Sequence, residues 1–163
     1  MANLAFDVAL GREVEFWNRV NDSDPTNAAF KVLVLAQAGL ESDAILRTYA
    51  DVATMLASTN NEVTNATYAR ITLTDADISP YTVDYVNHET TLYFDADLSW
   101  ATPAAGDLWR KGVIAYDNDT TGGTDANLIP VAMWDVLNSQ GNAVTPNGSA
   151  ITMSFPNGLL TAS

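Results

Sequence analysis

The sequence predicts a mainly β fold, a single-domain β-sandwich or jelly-roll-like arrangement with one amphipathic helix at about residues 42–58. Three observations lead there. Short segments in which apolar and polar side chains alternate recur along the chain, the pattern of strands with one buried face. Turn-forming Gly, Pro, Asn and Asp separate them. A single segment keeps its apolar positions on a 3.6-residue period instead.

In chain order, Leu4, Phe6, Val8 and Leu10 alternate with Asn3, Ala5, Asp7 and Ala9, so residues 1–10 read as a strand with one apolar face, followed by a hinge at Gly11. Such a segment is either an N-terminal arm that adds to an edge strand of another chain, or an edge strand of its own sandwich. Residues 11–163 read as one β-rich domain. Residues 30–35 are a short run of Val and Leu, the pattern of a strand buried on both faces. In residues 42–58, Ile45, Leu46, Tyr49, Val52, Ala53 and Leu56 line one helical face. Ser42 is a good N-cap, Asp43 sits where the helix dipole favours an anion, and Arg47 follows it at the i,i+4 spacing of an ion pair.

Beyond the helix the period drops to two. Ala69, Ile71 and Leu73 form one alternating run, Tyr81, Val83 and Tyr85 a second, and Asn87, His88 and Glu89 a hairpin loop after it. Leu92, Phe94, Ala96, Leu98 and Trp100 then predict one continuous strand with a wet opposite face. Two further runs cover residues 113–116 and 128–136, with Pro130 marking an edge or a bulge in the latter. Ile151, Met153 and Phe155 alternate, Pro156, Asn157 and Gly158 turn, and Leu159 and Leu160 return.

Composition narrows the function. The 163 residues hold 7 Lys+Arg against 20 Asp+Glu, a net charge of −13, so the field repels a phosphate backbone or an anionic bilayer, and neither nucleic acid nor membrane is expected as a partner. The longest apolar run, residues 28–36, is interrupted by Lys31 and far shorter than the roughly 20 residues of a spanning helix. Residues 1–10 lack the basic start of a secretory signal and carry Asp7. Without Cys, disulfides and thiolate chemistry are excluded.

Candidate chemistry is sparse. Asp95 and Asp97 share a strand face at a spacing that suits paired carboxylates, although alternating acids on a wet face also keep a sheet soluble. His88, the sole histidine, falls on a turn. Residues 117–123 begin like a calcium loop with Asp117 and Asp119, but position twelve is Leu128 where a bidentate Glu belongs; Asp125 is the only carboxylate placed to substitute. These are weak metal candidates, and no catalytic residue or cofactor is expected.

Four segments carry a resemblance: FWNRVNDSDPTN at 16–27, LRTYADVA at 46–53, NATYARITLTDADI at 65–78 and GVIAYDNDTTGGTDANLIPV at 112–131, with YFDADLSW at 93–100 between the last two. Together they resemble a family of small bacteriophage virion proteins, the head decoration or minor capsid proteins of tailed phages. The resemblance implies a non-enzymatic structural protein of the capsid exterior, made in the bacterial cytoplasm. The expected function is that of a decoration (cement) protein on the outer surface of the assembled head. Its partner is then the major capsid protein, and it forms a homo-oligomer, a trimer by preference. Tyr81, Tyr85 and Tyr93 are candidate interface anchors, since Tyr is enriched at interfaces, and Leu4, Phe6, Val8 and Leu10 are the candidate contacts of the arm. The alternative is a receptor- or carbohydrate-binding module of a tail fibre or baseplate, with Trp100, Trp109, Trp134 and the Asp-rich loop forming a sugar site.

Overall fold

The computed structural model describes residues 3–162, and they form a mainly β, sandwich-like fold of three antiparallel sheets. The largest sheet contains β1 (Leu4–Ala5), β2 (Ala29–Ala36), β3 (Ile71–Leu73), β7 (Trp109–Asp117) and β8 (Ile129–Asp135), in the spatial order β1-β8-β7-β2-β3. A three-stranded sheet orders β10 (Leu160–Ala162), β5 (Glu89–Leu92) and β4 (Thr82–Asp84). β6 (Leu98–Trp100) pairs with β9 (Ile151–Met153).

Residues 30–35 lie within β2, buried on both faces as expected. Phe30, Val32 and Val34 enter one apolar cluster, Leu33 and Leu35 the other. β7 divides its side chains likewise, Ile114 and Tyr116 to the first cluster, Val113 and Ala115 to the second. The first face is covered by α1 (Glu13–Asn21) through Phe16, Trp17 and Val20, and by Leu92, Leu98 and Trp100 of the smaller sheets. The second is covered by Phe6, Leu46, Val52 and Met55. Pro130 sits at a bulge: Ala115 pairs with Pro130 while Ile114 pairs with Ala132, so Val131 is extra.

Three expectations are corrected. The single helix at 42–58 is two short ones, α2 (Asp43–Leu46) and α3 (Val52–Leu56). Two backbone groups that a continuous helix needs are engaged elsewhere: the Arg47 carbonyl accepts from the Asp7 N–H at 2.8 Å, and the Val52 N–H donates to the Leu128 carbonyl at 3.1 Å. Asp51 is then free to cap α3, its carboxylate accepting from the Thr54 N–H at 2.7 Å. Asp43 and Arg47 do not pair with each other. Asp43 meets Lys111 at 2.6 Å and Arg47 meets Asp7 at 2.7 Å. The continuous strand at 92–100 is broken, because residues 93–95 turn aside to bond residues 77–79 before β6 joins a different sheet. Leu92, Leu98 and Trp100 are buried and Phe94 is partly so, but Ala96, at the break, is exposed against the expected alternation.

Of the two readings of the N-terminal segment, the edge strand is the one seen. Leu4 and Ala5 pair with Met133 and Ala132 of β8, so the segment is an edge strand of the chain's own sheet. Phe6 and Ala9 are completely buried, Leu4 and Val8 pack on the second cluster, and Leu10 alone of the four candidate contacts is exposed. Met1 and Ala2 lie outside the described residues. Deleting residues 1–10 removes a core phenylalanine, a loss of about 3–5 kcal/mol in itself, and uncovers β8. The truncated chain is expected to aggregate or to lose its circular dichroism signal of folding; a soluble, cooperatively folded truncation would refute this assignment.

Gly112 lies opposite Trp134 on the β7–β8 ladder, and a Cβ there would stand 2.3 Å from the indole ring. Trp134 is 1 % exposed and has no room to retreat. Gly112→Ala is expected to cost about 1–3 kcal/mol in denaturant unfolding. Gly122→Ala, whose Cβ meets its nearest neighbour at 4.0 Å, should stay within about 0.5 kcal/mol of the parent.

Candidate functional site

The β4–β5 hairpin concentrates exposed apolar side chains. Tyr85 and Val86 at its tip are 83 % and 85 % exposed, and Tyr81 and Val83 along its β4 arm are 37 % and 38 % exposed. The tip is held in shape by its own chemistry. Asp84 accepts from the Val86 N–H at 2.8 Å, the Asn87 N–H at 3.1 Å and the Asn87 side-chain amide at 2.8 Å. These bonds hold the Asp84 carboxyl below the usual carboxylate range. His88 completes the turn in the left-handed region, φ 58°. β4 is also an edge strand, leaving one row of backbone groups open.

Of the sequence candidates, Tyr81 and Tyr85 are therefore brought together on one hairpin, and Val83 and Val86 join them. Those two valines were legible only in part: Val83 alternates with the tyrosines, whereas the exposure of Val86 comes from the turn that Asp84 builds. Tyr93 is half-buried beside Phe94 and does not extend the patch.

The other candidates lie elsewhere. Asp95 and Asp97 are exposed, with Asp95 bonded to Ser79. His88 is exposed, and among the described residues its ring takes part in no hydrogen bond. The tryptophans of the alternative sugar site are corrected to core positions: Trp100, Trp109 and Trp134 are 4 %, 0 % and 1 % exposed. Their indole N–H groups are spent on the Ala69 carbonyl, the Asn65 side chain and the Met153 sulfur. No tryptophan face among the three is open to stack on a sugar ring.

The three acids of the calcium-like loop do not converge. Asp117 accepts from the Asp119 N–H at 3.0 Å, and Asp119 accepts from the Thr121 N–H and hydroxyl at 3.0 and 2.6 Å. Asp125 is bound by the Arg70 guanidinium at 2.5 and 2.9 Å, so a cation of the protein already stands where a metal would need it. Among the described residues no group of three or more His, Asp or Glu is placed to hold a metal. Arg70 also grips Glu62 at 2.6 Å, and Glu62 in turn accepts from the Tyr68 hydroxyl at 2.8 Å. The loop is thus fastened through Arg70 to the segment bridged to β2.

No protein-family model matches the chain, and neither a curated protein nor a solved structure does so.

The Arg70 guanidinium holds the Asp125 carboxyl below its ordinary value. A depressed folded-state pKa contributes stability above the unfolded value near 4, and that contribution is lost as pH falls through the folded one. The Asp125 side chain is 37 % exposed, so solvent screening limits the pair to about 1 kcal/mol. Asp125→Asn should therefore destabilise by about that amount at pH 7 and by nearly nothing at pH 2, as read by urea unfolding at each pH. An equal loss at both would show that the pair's charge is immaterial.

Proposed function

We propose that this protein is a capsid decoration protein of a tailed phage, a non-enzymatic cement that docks on the outer surface of the assembled head. The observation that carries the reading is the β4–β5 hairpin: a rigid turn holding Tyr85 and Val86 out in solvent on a chain whose other large apolar side chains are mostly buried. The fold gains nothing from that exposure, whereas an aromatic anchor at the centre of a contact is the commonest source of binding energy between proteins. The open edge of β4 supplies backbone groups to the same contact. The strong acidity keeps free copies apart and suits a partner surface with basic patches. The resemblance of the five sequence segments to small virion proteins supports the same assignment and names the partner as the major capsid protein. Repeated docking on a symmetric shell favours a homo-oligomer, a trimer at local three-fold positions.

The test is co-sedimentation of the purified protein with heads that lack it. The parent should bind in hundreds of copies per head, and the Tyr85→Ala, Val86→Ala double variant at least tenfold more weakly, a change of about 1.4 kcal/mol or more, with an unchanged melting temperature. Absence of parent binding, or equal binding of the double variant, would defeat the proposal. Binding to a bacterial surface glycan instead would favour a tail receptor module.

A further inference from the structure

Away from the hairpin, the geometry points to a second site: a groove between α1 and the loop after β7 that accepts a carboxylate carried on an apolar stem. The groove encloses about 440 Å³. Phe16, Tyr116 and Ile129 contribute its apolar surface, and Arg12, Arg19 and Asn127 its polar one. This assignment does not rest on the decoration reading.

The polar groups facing the groove are donors in search of an acceptor. Tyr116 is 4 % exposed; the Arg19 guanidinium stands beside its buried hydroxyl, but as a donor, so the hydroxyl's own proton has no acceptor, an expensive arrangement that a bound acceptor relieves. Burial pushes the Tyr116 pKa up, so the hydroxyl keeps its proton at neutral pH. Its ring is fixed by stacking on Phe16, with centroids 4.8 Å apart, and the Arg12 guanidinium lies 4.4 Å from the Phe16 centroid on that ring's face. Arg12 spends its Nε and Nη2 on Glu15, and Arg19 spends only its Nε there. Arg12 Nη1 has no hydrogen-bond acceptor among the described residues, and beyond Glu15 the Arg19 guanidinium has only the Tyr116 hydroxyl beside it. Asn127 uses its Oδ1 to cap Thr124, at 3.0 Å from the N–H and 3.3 Å from the hydroxyl, which leaves its NH2 as the free end.

The charge balance limits the ligand. Glu15 pairs with both guanidinium groups, and Asp24 is the other acid near the Tyr116 hydroxyl, so two cations face two acids and their formal charges cancel. Binding then rests on unspent N–H and O–H donors rather than on net charge, and a single negative charge is accommodated at less repulsion than a phosphate dianion. A planar carboxylate matches the fork of an arginine, and the Phe16 and Ile129 surface takes the stem behind it. Such a group reaches the site on a small organic acid or at the C-terminal end of another protein chain.

Nuclear magnetic resonance titration at constant ionic strength tests this with four probes: benzoate, phosphate, a short peptide ending in phenylalanine with a free carboxylate, and the same peptide as its amide. Benzoate should give saturable shifts of the Arg12 and Arg19 Nε–H and Tyr116 ring signals. Arg19→Gln should weaken binding at least tenfold. Tyr116→Phe, which deletes only the hydroxyl and keeps the stack, should weaken it at least threefold with no loss of folding. Tighter binding of the free peptide than of benzoate, with the amide silent, identifies a chain terminus as the source; benzoate binding alone identifies a small acid. Shifts that never saturate, phosphate binding as tight as benzoate, or parent-like binding by both variants would overturn the site.

Discussion

Along β2 and β7 apolar side chains point to both faces of the ladder, so neither face of the large sheet can be left to water. At about 25 cal/mol per Å² of apolar surface, an uncovered face on either side would outweigh the net stability of a domain this size. The covering elements follow from that demand. α1 and the two small sheets close one face; α2, α3 and Phe6 close the other. One buried charged side chain ties cover to sheet. Lys111, 4 % exposed on β7, is held between Asp43 at the start of α2 and Asp135 at the end of β8. A buried ammonium without those carboxylates would be prohibitive to keep charged, so its two partners fix where α2 sits.

Aromatic residues fill the space between the large sheet and the smaller ones. Trp100 and Trp109 meet edge to face at 5.1 Å, Tyr68 stands edge-on to Trp109 at 5.6 Å, and Phe155 is flanked by Phe94 and Trp134. Each tryptophan N–H finds an acceptor, which lets large rings be buried without an unmet donor. This use of tryptophan explains why aromatic content is a poor guide to a ligand surface in this chain. The exposed aromatics that remain are tyrosines on a hairpin whose shape is set by one aspartate.

The strand content was legible because two-residue periodicity and buried apolar runs depend on local pattern, and β2, β7, β8 and the hairpin loop fall where those patterns lie. What the sequence concealed was long-range. The break between α2 and α3 arises because Asp7 and Leu128, far away in the chain, take the backbone groups that would have continued a helix. The break in residues 92–100 arises because residues 77–79 draw the chain sideways, which leaves Ala96 exposed between the inward-facing Leu92 and Leu98. α1 did carry a local signal, in Val14, Trp17 and Val20 at three-residue spacing behind an acidic first turn, but nine residues with a polar majority speak faintly. Of the hairpin surface, Tyr81 and Tyr85 were visible as strand residues. The groove at Tyr116 was not, since it joins a helix, a strand end and a loop from three parts of the chain.

The pairing of β1 with β8 sets an order of events during synthesis. Leu4 meets Met133, roughly 130 residues further along, so β1 has no ladder partner until that much more chain has been synthesised. At translation rates of about 5–20 residues per second, that interval is on the order of ten seconds. Through it Leu4 and Ala5 lack their β8 partners, and the Val52 N–H lacks the Leu128 carbonyl that holds it away from a continuous helix. The arrival of the segment around β8 thus completes two features at once, the pairing of β1 and the separation of α2 from α3.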